Sequence, residues 1–395
     1  MKPLQGIRVI DLTQAMAAPF CTMNLADMGA DVIKIEPPGE GEPTRQLGAA
    51  QKNGHSATFM TMNRGKRGIA VDLKQPEGVE IVRKLAATAD VFVQNYRPGV
   101  VKRLGLDFDA LRKINPRLIY CQISGFGNTG PYASRGGYDL IAQGMSGVIS
   151  VTGDEDGPPA KSGIPLADLA AGLFGAYGIL SALEYRERTG EGQLVDTSLL
   201  EAAMALTVWE SAEYWTTGKA PKPMGSAHRN SAPYQALKAS DGYFTVGAGN
   251  DKLFAAFCAV LGRKDFLADA RFASRAARMV HRKALQGEIE NITGRETRAA
   301  WLARLEQAGV PAGPINNYAE ALADPHALAR GMVVDLVHPG AGDIKALGVP
   351  VKLSETPGAV DRAAPLLGEH TAQVLKELCY SESEREALLS KGVIQ

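Results

Sequence analysis

Short apolar runs alternate with longer stretches of helical period through the first third of the chain. Ile7, Val9, Ile10 and Leu12 make a buried strand, Pro19 to Met28 a helix stopped by Gly29, and Asp31 to Ile35 the next strand. The pattern resumes with a strand from Arg67 to Leu73, a helix from Pro76 to Thr88, a strand Val91 to Val93, a short helix from Asp107 to Ile114 and a strand Leu118 to Ser124. Such alternation predicts an α/β fold with a parallel, doubly wound sheet. In sheets of this kind ligands sit beyond the carboxyl ends of the strands, here the segments after Leu12, Ile35, Leu73, Val93 and Ser124.

The most apolar segment runs from Leu169 to Leu183 between Asp168 and Glu184. Its 15 uncharged residues fall short of the roughly 20 that span a bilayer, which predicts a buried core helix. Gly172, Gly175 and Gly178 lie within it. Each interior Gly costs roughly 1 kcal/mol relative to Ala, so three on one face predict a neighbour packed very close to the backbone. Asp168 opens this helix, where a carboxylate either caps free N–H groups or serves as a nucleophile. Residues 217–226 read as a linker rich in Pro, Gly and Lys. The chain therefore divides into 1–215, a smaller mixed domain at 226–325, and a closing segment at 326–395.

Lys plus Arg and Asp plus Glu both number 43, so the zero net charge argues against nucleic acid or an anionic membrane as the main partner. Any anion site must be local. Cys21, Cys121, Cys258 and Cys379 are widely spaced, which fits a reducing compartment and indicates neither a disulfide framework nor a zinc site. With a strand-like run starting at Ile7, no signal or transit peptide is expected, and the expected location is cytoplasmic. The turn Thr13 to Pro19 lacks the glycine spacing of a dinucleotide site, and no Walker lysine loop occurs. What stands at or near the strand ends is a polar and cationic set: Lys34, Arg64, Lys66, Arg67, Lys74, Asn95, Arg97 and Arg103. Gathered at one edge it would suit a small polyphosphate; taken singly, each is equally an ordinary surface residue.

Gly6–Leu12, Gly29–Glu36, Asn63–Arg67, Asp72–Lys74, Asn95–Gly99, Ser124–Gly127 and the Asp168 helix, in this order, resemble the class III CoA-transferase family, and the likeness continues through Gly190–Gln193 and Ala232–Gln235. The resemblance implies a Rossmann-like large domain built from both chain ends, a smaller α+β domain, and a homodimer of interlocked rings. It implies Asp168 as nucleophile; Val71, Lys74, Asn95, Tyr96 and Arg103 along the CoA site; Ala15 and Met16 in the turn beside the thioester; and Gly247 and Gly249 in a glycine loop over the active site, with Tyr138 orienting the aspartate. CoA thioester and carboxylic acid are then the substrates, with no permanently bound cofactor and no metal.

Met16 replaces a glutamine of the formyl-CoA transferase branch, and Pro37 replaces a basic residue near its CoA. Residues 225–230 and 311–317 look most like the branch that uses succinyl-CoA and a second dicarboxylate such as glutarate. A distal carboxylate needs a cation, and Arg45, Arg64 or Arg229 could supply it. Two alternatives stay open. An α-methylacyl-CoA racemase shares the fold but needs a second base, and Tyr138 stands where the racemases carry histidine. A CoA-binding protein without turnover is the other.

Overall fold

Val9, Ile10, Ile33, Phe92 and Ile119 are wholly buried, which requires strands covered on both faces. In the computed structural model, which describes residues 1–395, they belong to a six-stranded sheet. The chain runs β1 (Arg8–Leu12), α1 (Ala17–Asp27), β2 (Asp31–Glu36), a short hairpin of β3 (Gln51–Lys52) and β4 (His55–Ser56), α2 (Ala57–Met62), β5 (Arg67–Ala70), α3 (Pro76–Thr88) and β6 (Val91–Gln94). It continues with α4 (Val100–Arg103), α5 (Phe108–Ile114), β7 (Ile119–Ser124), α6 (Asp139–Met145), α7 (Leu166–Thr189), β8 (Leu194–Ser198), α8 (Leu199–Ala205) and α9 (Val208–Thr217).

The strand order is β5-β2-β1-β6-β7-β8, with every pairing parallel. The chain winds outward from β1 to β2 and β5, then returns to lay β6 against the other side of β1. That reversal puts the switch point between the carboxyl ends of β1 and β6, where Leu12 faces Gln94. β8 is absent from the sequence-based expectation. It is an edge strand in which only Ser198 is buried, so it lacks the apolar run that marks its neighbours.

One face of the sheet packs on α1, α7 and α8. The other packs on α3 and α5, and is completed by residues from the far end of the chain, Val374, Leu375, Leu388, Val393 and Ile394. These arrive after α14 (Tyr318–Leu322), α15 (Pro325–Ala329) and the hairpin β12 (Val333–His338) and β13 (Gly342–Leu347): Val374 and Leu375 on α16 (Thr371–Glu377), Leu388 on α17 (Glu382–Ser390), and Val393 and Ile394 in the segment that follows it. Asp72 N–H donates to Val393 O at 2.8 Å, which ties the two ends together.

α7 corrects the expectation of a short buried helix. It has 24 residues; its Ala and Gly side is inward while Leu173, Phe174, Tyr177 and Leu180 are exposed. By length and composition it could cross a membrane, yet half of its most apolar stretch is buried within the protein.

Two compact units emerge. The first holds 1–148, 161–217 and 325–395; the second holds 149–160 and 218–324. The second is a three-stranded antiparallel sheet of β9 (Tyr234–Ala239), β10 (Gly242–Gly247) and β11 (Ala312–Pro314) with α10 (Asp251–Leu261), α11 (Arg275–Val280), α12 (Arg282–Thr293) and α13 (Arg298–Gln307). Phe244, Phe254, Phe257, Phe266, Phe272 and Trp301 fill its core. Residues 149–160 join this unit although they lie far from it in sequence, because Gly225 N–H bonds Gly153 O at 2.9 Å and Arg282 and Lys283 both pair with Glu155.

Candidate active site

The turn after β1 enters the switch-point crevice and is held by side chains on every side. Asp11, wholly buried, accepts from Thr13 N–H at 3.0 Å and from the hydroxyls of Thr13 and Thr22. Gln14 N–H donates to Asn95 Oδ1, and Asn95 Nδ2 donates back to Gln14 O, both at 2.8 Å. Asn95 follows β6, so this reciprocal pair bridges the crevice itself. Ala15 comes next, exposed and with φ of 64°, a left-handed conformation that an L-residue bearing a Cβ adopts only at a cost.

α7 carries Asp168 on the side that packs against α1. A Cβ on Gly172 would lie 2.5 Å from Ala17 O and 2.9 Å from the Phe20 ring; on Gly175, 2.8 Å from Ile123; on Gly178, 2.5 Å from Val195. The glycine stripe therefore does seat α7 directly on α1, β7 and β8. Asp168 is one helical turn before Gly172 on the same face, and so is carried to the start of α1.

Asp168 is not the cap of its own helix. That role belongs to Asp139, whose Oδ1 accepts from Ala167 N–H at 2.9 Å and from Asp168 N–H at 3.5 Å. Gln143, one turn along α6, donates to Asp139 Oδ2 at 2.7 Å and accepts from Ser162 N–H at 2.9 Å, so α6 clamps the segment leading into α7. With its backbone neighbours thus satisfied, the half-buried Asp168 carboxyl is pushed up to about 7, by burial first and by the Asp139 carboxylate second. A carboxylate of that basicity is a better nucleophile than an ordinary one and is still ionised in quantity at neutral pH.

Asp139 was not singled out by sequence reasoning, although it adjoins Tyr138. Tyr138 itself is 72% exposed at the start of α6. The signal that could have found Asp139 is an acidic residue just after Gly136-Gly137, whose backbone is crossed by the Gly125 loop: a Cβ on Gly125 would lie 2.6 Å from Gly137 Cα.

The cationic set separates into two groups. Lys34, Arg64, Lys66 and Arg67 are buried and committed to Glu42, Asp27, Asp11 and Asp31. Lys74, Arg97 and Arg103 are exposed beyond β5 and β6. Tyr96 is half-buried beside them, with its N–H on Gln94 Oε1 at 2.8 Å. Val71 is 1% exposed, its side chain in the core, so any contact it makes with a ligand there is through the backbone. Met16, half-buried, precedes α1.

Of the three arginines expected for a distal carboxylate, two are engaged internally. Arg45 grips Glu36 with two bonds of 2.7 Å and stacks on Phe59 at 3.7 Å. Arg64 holds Asp27 through bonds of 3.2 and 2.7 Å. Arg229, in the second unit, donates to Lys222 O at 2.8 Å.

In that second unit Gly247 and Gly249 line a cavity of about 600 Å³ with Ser231, Tyr234, Asn250 and Arg275. The loop is tied down locally. Gly247 N–H bonds Pro311 O, Ala248 N–H bonds Pro233 O, and the buried Arg278 donates to Gly249 O, Ala232 O and Asp251.

A parallel sheet with a raised carboxyl on α7 and exposed cations after β5 and β6 is matched by known proteins. The family model described as CoA-transferase family III matches residues 4–371. The succinyl-CoA:glutarate CoA-transferase of Mus musculus is 43% identical over 396 residues, covering 100% of this chain and 91% of that protein. The succinate–glutarate CoA-transferase of Agrobacterium fabrum is 43% identical over 382 residues, covering 95% and 96%. A CAIB/BAIF family protein from Brucella suis superposes with a TM-score of 0.87 at 43% identity, over 95% of this chain and 99% of that one. Matched along nearly its whole length, the chain belongs to CoA-transferase family III.

Proposed function

We propose that this protein moves CoA from succinyl-CoA to a second dicarboxylate such as glutarate, with Asp168 as the covalent nucleophile. The observation that carries the reading is the half-buried, raised Asp168 carboxyl on the face of α7 whose glycines pack on α1; the names of the relatives support the choice of acids. In the first step an Asp168 carboxylate oxygen attacks the thioester carbonyl, the C–S bond breaks, and CoA leaves as thiolate. The product is a mixed anhydride. Thiolate then attacks the aspartyl carbonyl, releasing succinate and leaving an aspartyl-CoA thioester. The acceptor carboxylate attacks that thioester, and the returning thiolate attacks the acceptor's carbonyl to give the new CoA ester and free Asp168. Each step is an acyl substitution, and none calls for a resident cofactor. Water must be kept from both intermediates, which hydrolyse unproductively if wetted.

Hydroxylamine added with succinyl-CoA should convert Asp168 to a hydroxamate found by peptide mass spectrometry. A hydroxamate on another residue would move the nucleophile. Solvent deuterium entering the α-carbon of a 2-methylacyl-CoA, without exchange between acids, would replace the transferase reading by the racemase.

CoA is placed along Lys74, Asn95, Tyr96 and Arg103 beyond β5 and β6. Lys74→Ala with Arg103→Ala should raise KM for succinyl-CoA at least about tenfold at low salt, with a smaller difference at high salt because exposed ionic contacts are screened. Unchanged KM in the double variant would put the cofactor elsewhere.

A dicarboxylate acceptor needs a cation for its distal end; Arg45 and Arg64 are spent on Glu36 and Asp27, and Arg229 bonds Lys222 O. Burying such a pair contributes about 2–5 kcal/mol when one partner is removed, so glutarate should exceed pentanoate in kcat/KM by at least about 30-fold. Equal use of the two would leave CoA transfer standing and remove the dicarboxylate.

All four cysteines are free thiols, which supports a reducing, cytoplasmic setting. The exposed Leu173, Phe174, Tyr177 and Leu180 of α7 and Trp215 of α9 support a homodimer that covers them.

A further inference from the structure

The left-handed Ala15 is fastened by one carboxylate. Glu42 lies on the loop after β2, is 1% exposed, and points both oxygens inward. Its Oε2 accepts from Ala15 N–H at 2.9 Å, while Oε1 takes Asn63 Nδ2 at 3.3 Å and faces Lys34 Nζ at 3.4 Å. Lys34 in turn donates to Thr13 O at 3.0 Å, and Lys66 donates to Pro19 O at 3.1 Å and to Asn63 Oδ1 at 2.8 Å. Buried ions are thus set against the backbone of the turn at Thr13, Ala15 and Pro19. Strain of this kind persists only where the surroundings over-determine it, and it gathers at functional sites. An uncharged partner could not do the same, because both carboxylate oxygens face donors, and an amide would offer one acceptor and turn N–H groups on the other side.

We propose that Glu42 is a positioning residue for CoA transfer: through the Ala15 N–H it holds Ala15 in the left-handed conformation, and with it the turn into Met16 that sets the thioester carbonyl against Asp168. Buried with Ala15 N–H, Asn63 and Lys34 as its side-chain partners, Glu42 acts through the backbone. The inference rests on the functional reading above, since the turn matters only if the thioester lies beside it.

The test is steady-state succinyl-CoA:glutarate transfer by Glu42→Gln, Ala15→Gly and the double variant, with melting curves for each. Misplacing reacting groups by about an ångström costs up to roughly 100-fold, so Glu42→Gln should lower kcat about 10- to 100-fold with KM for succinyl-CoA within about threefold. Glycine adopts the left-handed conformation without strain, so adding Ala15→Gly should recover about tenfold of the lost kcat. A Glu42 that served only to neutralise Lys34 would lower the melting temperature, and Ala15→Gly would restore nothing. The proposal is overturned if kcat of Glu42→Gln stays within about threefold of the parent, or if Ala15→Gly fails to rescue it. Where Glu42→Gln alone is insoluble, the double variant decides: soluble and active supports the role, insoluble or inactive overturns it. Failure of the functional reading shows separately, as transfer that survives Asp168→Asn.

Discussion

Asp168→Asn will abolish CoA transfer, by on the order of 10⁴-fold or more, because the amide oxygen cannot form the anhydride and no neighbouring group replaces a covalent nucleophile. The same substitution will stabilise the fold at neutral pH. Asp168 is pushed from 3.8 up to about 7 by burial and by Asp139, so between those values the native state binds the proton that the unfolded chain has lost. Stability therefore falls as pH rises from about 4 to about 7, and the neutral amide escapes that loss. One pKa unit corresponds to about 1.4 kcal/mol; discounting for partial solvent exposure, the variant should gain about 1–2 kcal/mol at pH 8 and little at pH 4. Activity runs the opposite way. The wild-type enzyme needs the ionised carboxylate, so kcat/KM should drop about tenfold per unit below pH 7 and level off above it. A variant that still transfers CoA would remove Asp168 from the chemistry, and a pH profile flat from 5 to 8 would remove its raised basicity.

Arg64→Ala will cost about 3–5 kcal/mol of folding stability, measured by denaturant titration, since it strands the Asp27 carboxylate in the interior. Burial already raises Asp27 despite the guanidinium beside it, and both side chains are almost fully enclosed. Loss of activity should track loss of fold, with the ratio of glutarate to pentanoate unchanged in the molecules that remain folded. A loss under about 1 kcal/mol with a shifted acid preference would instead return Arg64 to the substrate. The double variant Arg64→Met with Asp27→Leu should recover much of the stability, because replacing both charges by apolar groups removes the desolvation penalty as well as the attraction.

Arg64 illustrates what a sequence leaves open. Next to Gly65, Lys66 and Arg67 it reads as one member of a basic cluster for an anion, and periodicity says nothing of the acid it will meet. Asp27 is 37 residues away in sequence, at the end of α1. Asp139 was missed for the same reason: its contact with Ala167 and Asp168 crosses 28 and 29 residues.

The order of β1, α1, β2, β5, α3, β6, α5 and β7 and the close packing along Gly172, Gly175 and Gly178 were legible in the sequence alone, whereas the β3–β4 hairpin, α2 and α4 were not. Buried strands and small-residue stripes are local patterns, enforced by the side chains that lie within a few positions of one another. The tertiary structure decided the rest. Five strand ends were open as ligand sites, and only the order β5-β2-β1-β6-β7-β8 selects the crevice between β1 and β6. Ionic residues that look alike in sequence were divided into internal partners and exposed cations by what each met when the chain closed, and the basicity of Asp168 arose from burial and from Asp139. Charge, burial and strand order are properties of distant groups brought together, so no local pattern carries them.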